Sequence, residues 1–226
     1  GGTLRFAALA YPANERLLDW LRREVEASDV DVRLGVRATP ELLRVLEPQA
    51  VVVATGAVRG MPAIPGNDLP HVLSGDDMRA LVLGEESREL KRKVGFAARM
   101  ATRVGAATGL TANLDFVREA SRRWMPLGKN IVIIGGELVG LELAEFLAER
   151  GRTVTVVDEV PRFGAGLTIV RRMRLLAELQ EHGLGLYPQS SAIRIEADAV
   201  RFTDKAGAAQ ALGADHVIVA KGATGD

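Results

Sequence analysis

The chain has 226 residues, is 47 % hydrophobic, and balances 29 basic against 29 acidic residues to a formal net charge of zero. That length buries one good core or two modest ones, and the charge balance gives no global attraction to nucleic acid. With no cysteine, the chain cannot carry a redox disulfide, a thiolate partner to a flavin or a cysteine-held iron–sulfur cluster.

Gly1-Gly2-Thr3-Leu4-Arg5 opens the sequence on a glycine pair. Glu15 to Ala27 has helical apolar spacing, and Val30 to Leu34 reads as a short strand. Ala50-Val51-Val52-Val53-Ala54-Thr55-Gly56-Ala57 reads as a buried strand leaving into a turn at Thr55-Gly56. Residues 1–75 form a first, smaller lobe on this reading. Gly75-Asp76-Asp77 predicts a helix cap, with Met78, Leu81 and Val82 on the short helix behind it. Glu86 to Val104 is a basic helical stretch, Gly105 to Asn113 a Gly/Thr-rich break, and Leu114 to Trp124 another helix. Residues 76–128 are therefore a helical insert, in which Lys91, Arg92 and Lys93 read as a solvated face rather than a phosphate-binding run.

The most informative stretch follows. Ile131-Val132-Ile133-Ile134 is a β-branched run expected to be buried on both faces, Gly135-Gly136-Glu137-Leu138-Val139-Gly140 is a glycine turn, and Leu141 to Leu147 is an apolar helix. A second buried strand, Thr153 to Val157, closes on Asp158. This is the dinucleotide-binding arrangement, with a pyrophosphate over the helix N-terminus and the acid on a ribose hydroxyl. One position departs from it. Against G-x-G-x-x-G, the glycines are Gly135 and Gly140, and Glu137 stands where the middle glycine lets phosphate approach the backbone. Its carboxylate either faces the phosphates or sits in the helix's first turn, where its charge suits the dipole, and points away. Asp158 with Glu159 favours NADH by repelling a 2′-phosphate, while Arg162 leaves NADPH possible.

Val170 to Glu181 is an amphipathic helix, Leu184 to Tyr187 a strand, and Ala192 to Glu196 with Ala199 to Phe202 a hairpin flap turning at Ala197-Asp198. His216-Val217-Ile218-Val219-Ala220-Lys221-Gly222-Ala223 repeats the pattern of residues 50–57, and each copy follows a helix and a short strand. Residues 129–211 then form the dinucleotide domain and 212–226 a return strand toward the first lobe. His71, His182 and His216 show no ligand spacing, so no metal is expected. No apolar run reaches the roughly 18 residues of a membrane span and no export leader opens the sequence, which points to a cytoplasmic protein with no membrane partner.

Four segments together resemble a known family: Gly1 to Arg5, Val53-Ala54-Thr55-Gly56-Ala57, Val132 to Glu145 and Val219-Ala220-Lys221-Gly222. They are similar to the C-terminal flavin and pyridine-nucleotide region of old-yellow-enzyme-type oxidoreductases, such as bacterial 2,4-dienoyl-CoA and 2-enoate reductases, with trimethylamine dehydrogenase more distant. The resemblance spans most of the chain outside Glu86 to Leu127. It implies an α/β Rossmann-like domain for NAD(P)H beside an incomplete FAD-type lobe that lacks its first βαβ. FMN and an iron–sulfur cluster would belong to an N-terminal barrel outside this chain. By the same resemblance Gly1, Gly2, Ala54, Thr55 and Gly56 lie near FAD, Lys221 and Gly222 in the cofactor region, and Glu142 near the meeting point of nicotinamide and flavin. A plain helix position is the alternative for Glu142. The resemblance implies an electron-input module passing hydride from NADH to FAD for reduction of an activated alkene, the fragment alone being inactive. The alternative is a retired, ADP-like nucleotide domain of the amine-dehydrogenase type.

Overall fold

The computed structural model describes residues 2–83, 93 and 113–225, which fall into two compact units, Gly1–Val58 with Gly225–Asp226 and Arg59–Thr224. The first unit contains helices α1 (Gly2–Ala10), α2 (Ala13–Glu26) and α3 (Pro40–Leu46). Helices α1 and α2 pack together around Ala8, Leu9 and Leu18. Thr39 caps α3, its Oγ1 accepting from the Leu42 N–H at 3.3 Å with Pro40 in the first helical position.

Two expected strands do not form there. Val30 to Leu34 runs as irregular chain into a turn, and Ala50 to Gly56 is irregular before the short strand β1 (Ala57–Arg59). Val51, Val52 and Val53 are 53 %, 89 % and 74 % exposed. A β-branched run becomes a strand only when neighbours take up its backbone N–H and C=O groups, and among the described residues none lies beside this one.

The second unit is built on a five-stranded sheet. Its strands are β2 (Val72–Ser74), β3 (Asn130–Ile134), β4 (Thr153–Val157), β5 (Gly185–Tyr187) and β9 (His216–Val219), in the order β2-β9-β3-β4-β5, every pair parallel. The return strand β9 therefore enters the middle of this sheet. Strand β2, within the residues expected to belong to the first lobe, is the edge strand of the same sheet, in register with Val217 to Val219.

Alternation along β3 splits its burial between two faces. Val132 and Ile134 join Val157, Val217 and Val219 against Ile193, Ile195, Val200 and Phe202 of a three-stranded antiparallel sheet, β6 (Ser191–Ile195), β7 (Ala199–Thr203) and β8 (Ala209–Gly213). The expected hairpin is its first pair, with Ile195 opposite Val200. Ile131 and Ile133, equally buried, face the side where helix α6 (Leu138–Ala148) packs on β3 and β4. Helix α7 (Ile169–Glu181) packs on α6, and α4 (Gly75–Leu83) on β2 and β9.

The insert's cap lies one residue earlier than expected. Ser74 Oγ accepts from the Asp77 N–H and Asp77 Oδ2 accepts from the Ser74 N–H, a reciprocal capping box. Lys93, expected on a solvated face, instead pairs with buried Asp77 at 2.8 Å. Residues 84–92 and 94–112, with Lys91, Arg92 and the Gly/Thr-rich break, lie outside the described residues apart from Asn113, which caps α5 (Leu114–Arg123) through its Oδ1. Two bonds aim β3: the Gly128 N–H donates to His216 Nδ1, and the Asn130 N–H to Asp215 Oδ2. Burial and nearby His71 push the His216 imidazole's pKa down, in keeping with a Nδ1 that accepts. Among the described residues no helix is long and apolar enough to cross a membrane.

Candidate dinucleotide site

The parallel strands β9, β3 and β4 end side by side, and the residues leaving them form the site. Ile134 pairs with both Val219 and Val157, so Gly135 emerges between Ala220-Lys221 and Asp158. The Gly135 N–H donates to Val157 O at 3.1 Å, and the Ala220 N–H to Ile134 O at 2.9 Å. Gly135 has φ +138°, and a β-carbon on it would stand 2.7 Å from Ala220 O. A β-carbon on Gly140 would collide with the Gly135 carbonyl. The two matched motif glycines thus let α6 close tightly on the end of β3, the packing role of the motif's outer glycines.

Glu137 is the N-cap of α6 in extended backbone, exposed, and its side chain makes no capping hydrogen bond. The first-turn N–H groups, which have no intrahelical acceptor, are left without a side-chain cap and so suit an anion. Leu138 and Val139 begin the helix partly exposed. Gly136 packs under the Phe163 ring, where a β-carbon would collide. The residues at this turn fit a pyrophosphate at the helix N-terminus.

Asp158 does not lie as expected. Its side chain is 1 % exposed: Oδ2 accepts from the Gly136 N–H at 2.6 Å, and Oδ1 accepts from the Glu159 N–H at 2.7 Å and from Lys221 Nζ at 2.6 Å. A carboxylate so engaged presents no solvent-facing acceptor to a ribose. The acid that faces solvent at this strand end is Glu159, with a side chain 66 % exposed and 3.7 Å from Lys221 Nζ. Arg162 is also exposed.

Glu142 pairs with Arg171 of α7 at 3.1 Å, so its carboxylate ties two helices together in the manner of the plain helix reading. One turn further along α6, burial and the Glu178 carboxylate raise the Glu145 carboxyl to about 7, so below neutral pH Glu145 holds a proton beside Glu178. Gly222, in the same unit, has φ +83°, and its carbonyl accepts from the Gly60 N–H at 2.9 Å. Gly2, Ala54, Thr55 and Gly56 belong to the first unit, and Gly1 lies outside the described residues. Ala54, Thr55 and Gly56 lie on exposed irregular chain.

The sequence profile of the pyridine nucleotide-disulphide oxidoreductases matches residues 21–226. The chain belongs to that family. Bilirubin reductase of Mediterraneibacter gnavus is 27 % identical to this member over 99 % of the chain and 28 % of its own length. NADH oxidase of Thermoanaerobacter brockii is 26 % identical over 98 % of the chain and 29 % of its length. The chain thus spans less than a third of these curated relatives. Among solved structures, 2-naphthoyl-CoA reductase in complex with 2-naphthoyl-CoA shares the fold, with TM-score 0.74 and 19 % identity over all of this chain and 28 % of that one. Membership establishes an FAD- and NAD(P)H-linked redox domain. No cysteine occurs among these 226 residues, so this stretch holds no thiol pair.

Lys221 is the site residue whose role sequence reasoning missed. Its 63-residue separation from Asp158 hid the pair, and the one available signal was a lysine directly after the apolar return strand.

Proposed function

We propose that this chain is the electron-input module of a larger flavoprotein of the old-yellow-enzyme type, working in the cytoplasm. The observation that carries the reading is the turn at Gly135 to Gly140, closed tightly on β3 while its helix N-terminus stays uncapped by Glu137. NADH held there would supply a hydride for an FAD seated mainly by parts of the protein outside this chain, and so reducing power for an activated alkene such as an enoyl or dienoyl thioester. The chain's own residues bind and orient: the first turn of α6 holds the diphosphate, and exposed Glu159 takes over from Asp158 the discrimination against a 2′-phosphate. The exposed valines 51–53 support a first unit completed by strands from elsewhere in the full protein; the family resemblance alone adds an N-terminal barrel holding FMN and an iron–sulfur cluster. The thioester name of the 2-naphthoyl-CoA reductase neighbour supports the substrate class.

Titrating the chain with NADH, NADPH and ADP tests this. NADH should bind more tightly than NADPH, and Glu159→Gln should narrow the gap. Equal affinities for both in the unaltered chain sink the assignment of Glu159. A second reading, a domain that keeps ADP without passing electrons, draws on the closed Asp158; binding of ADP with indifference to the nicotinamide half would favour it.

A further inference from the structure

Building on the dinucleotide reading, the geometry points to Lys221 as the cation that receives the nucleotide's diphosphate and offsets Glu137. Lys221 follows β9, Asp158 follows β4, and the strand between them, β3, ends in Gly135. The Lys221–Asp158 pair therefore bridges the end of the central strand, the two side chains together covering two strand spacings or roughly 9–10 Å. The lysine side chain passes directly over the glycine turn: a β-carbon on Gly135 would stand 3.1 Å from Lys221 Cγ. The ammonium rests at the mouth of the site the diphosphate would enter.

The partners of Asp158 show which side of the pair can move. The carboxylate keeps the Gly136 and Glu159 backbone N–H donors whether or not the lysine is present, so it stays satisfied on the lysine's departure. The lysine side chain, 28 % exposed, reaches solvent at this pair. A short swing carries its charge from a carboxylate to a phosphate, exchanging one anionic partner for another. The same charge answers the departure from the glycine fingerprint, because it stands on the turn that also carries exposed Glu137.

The test is isothermal titration of the full chain with ADP and NADH, comparing wild type with Lys221→Gln, which keeps a polar side chain without the charge, and Lys221→Arg. Lys221→Gln should lose tenfold or more in affinity for both ligands, and Lys221→Arg should recover most of it. The wild-type affinity should fall with added salt, and that slope should flatten in Lys221→Gln. Unchanged or tighter binding by Lys221→Gln overturns the proposal and makes the lysine a plug on Asp158. If Lys221→Gln does not fold, a salt-independent wild-type affinity overturns it equally. Failure of the folded wild type to bind either ligand removes the dinucleotide reading itself, an outcome distinct from wild-type binding that the substitution spares.

Discussion

Two runs of similar sequence meet opposite fates. Ile131-Val132-Ile133-Ile134 and Val51-Val52-Val53 are both β-branched runs ahead of a glycine, yet the first is a fully buried central strand and the second is exposed irregular chain. The long-range bonds show why. The second unit is stitched by contacts between distant residues, Gly128 to His216 and Asn130 to Asp215, which set β3 between β9 and β4. In the first unit Ser28 bonds to Val25, Arg33 to Asp31 and Arg44 to Glu41, contacts that hold helices and turns but recruit no neighbouring strand. A strand is a property of the strands beside it.

The sharpest way to break the comparison is to truncate both runs. Ile133→Ala should cost about 2–5 kcal/mol, as deletion of a fully buried side chain does. Urea unfolding followed by Trp124 in a Trp20→Phe background reads the second unit for this purpose. A smaller loss, about 1–3 kcal/mol, is expected for Arg150→Met. The buried guanidinium donates to Ser121 Oγ at 2.9 Å and to Phe146 O at 2.7 Å, tying α5 to α6, and its burial lowers its pKa to about 10. A loss no larger than that of an exposed surface arginine would show that this tie does not matter.

Glu145 gives the second unit a pH dependence. Its folded pKa, near 7, lies above the unfolded value of about 4.3, so the protonated form is favoured by folding. That contribution is complete below the unfolded pKa and is lost as pH rises through 7. After allowance for solvent screening of a half-exposed group, the loss is on the order of 1 kcal/mol. Unfolding midpoints measured from pH 5 to 8 should fall in the wild type and stay flatter in Glu145→Gln; parallel curves would assign the slope to other groups. The least effect belongs to the first unit: Val52→Ser should shift stability by no more than about 0.5 kcal/mol. A loss matching that of Ile133→Ala would mean that Val52 is packed in solution, and the contrast between the two runs would disappear.

The sequence by itself determined the elements whose signals are local. The β-branched run, the glycine turn and the apolar helix specify β3, the turn and α6, because side-chain period and backbone freedom act within a few residues. Gly135 and Gly140 carry their motif role for the same reason. The resemblance carried by those motifs reaches the broad class, a flavin- and pyridine-nucleotide-linked oxidoreductase, and the alternating pattern gives the hairpin at Ile195 and Val200. Tertiary structure decided the rest. It joined β2 and β9 to one sheet, left Val51 to Val53 without strand neighbours, and turned Asp158 inward. Asp158 meets the Gly136 N–H across 22 residues and Lys221 across 63, and Glu142 meets Arg171 across 29. Local periodicity carries no record of such separations, since a carboxylate is drawn to whichever donors the closed sheet brings within reach, and which donors those are depends on strand order.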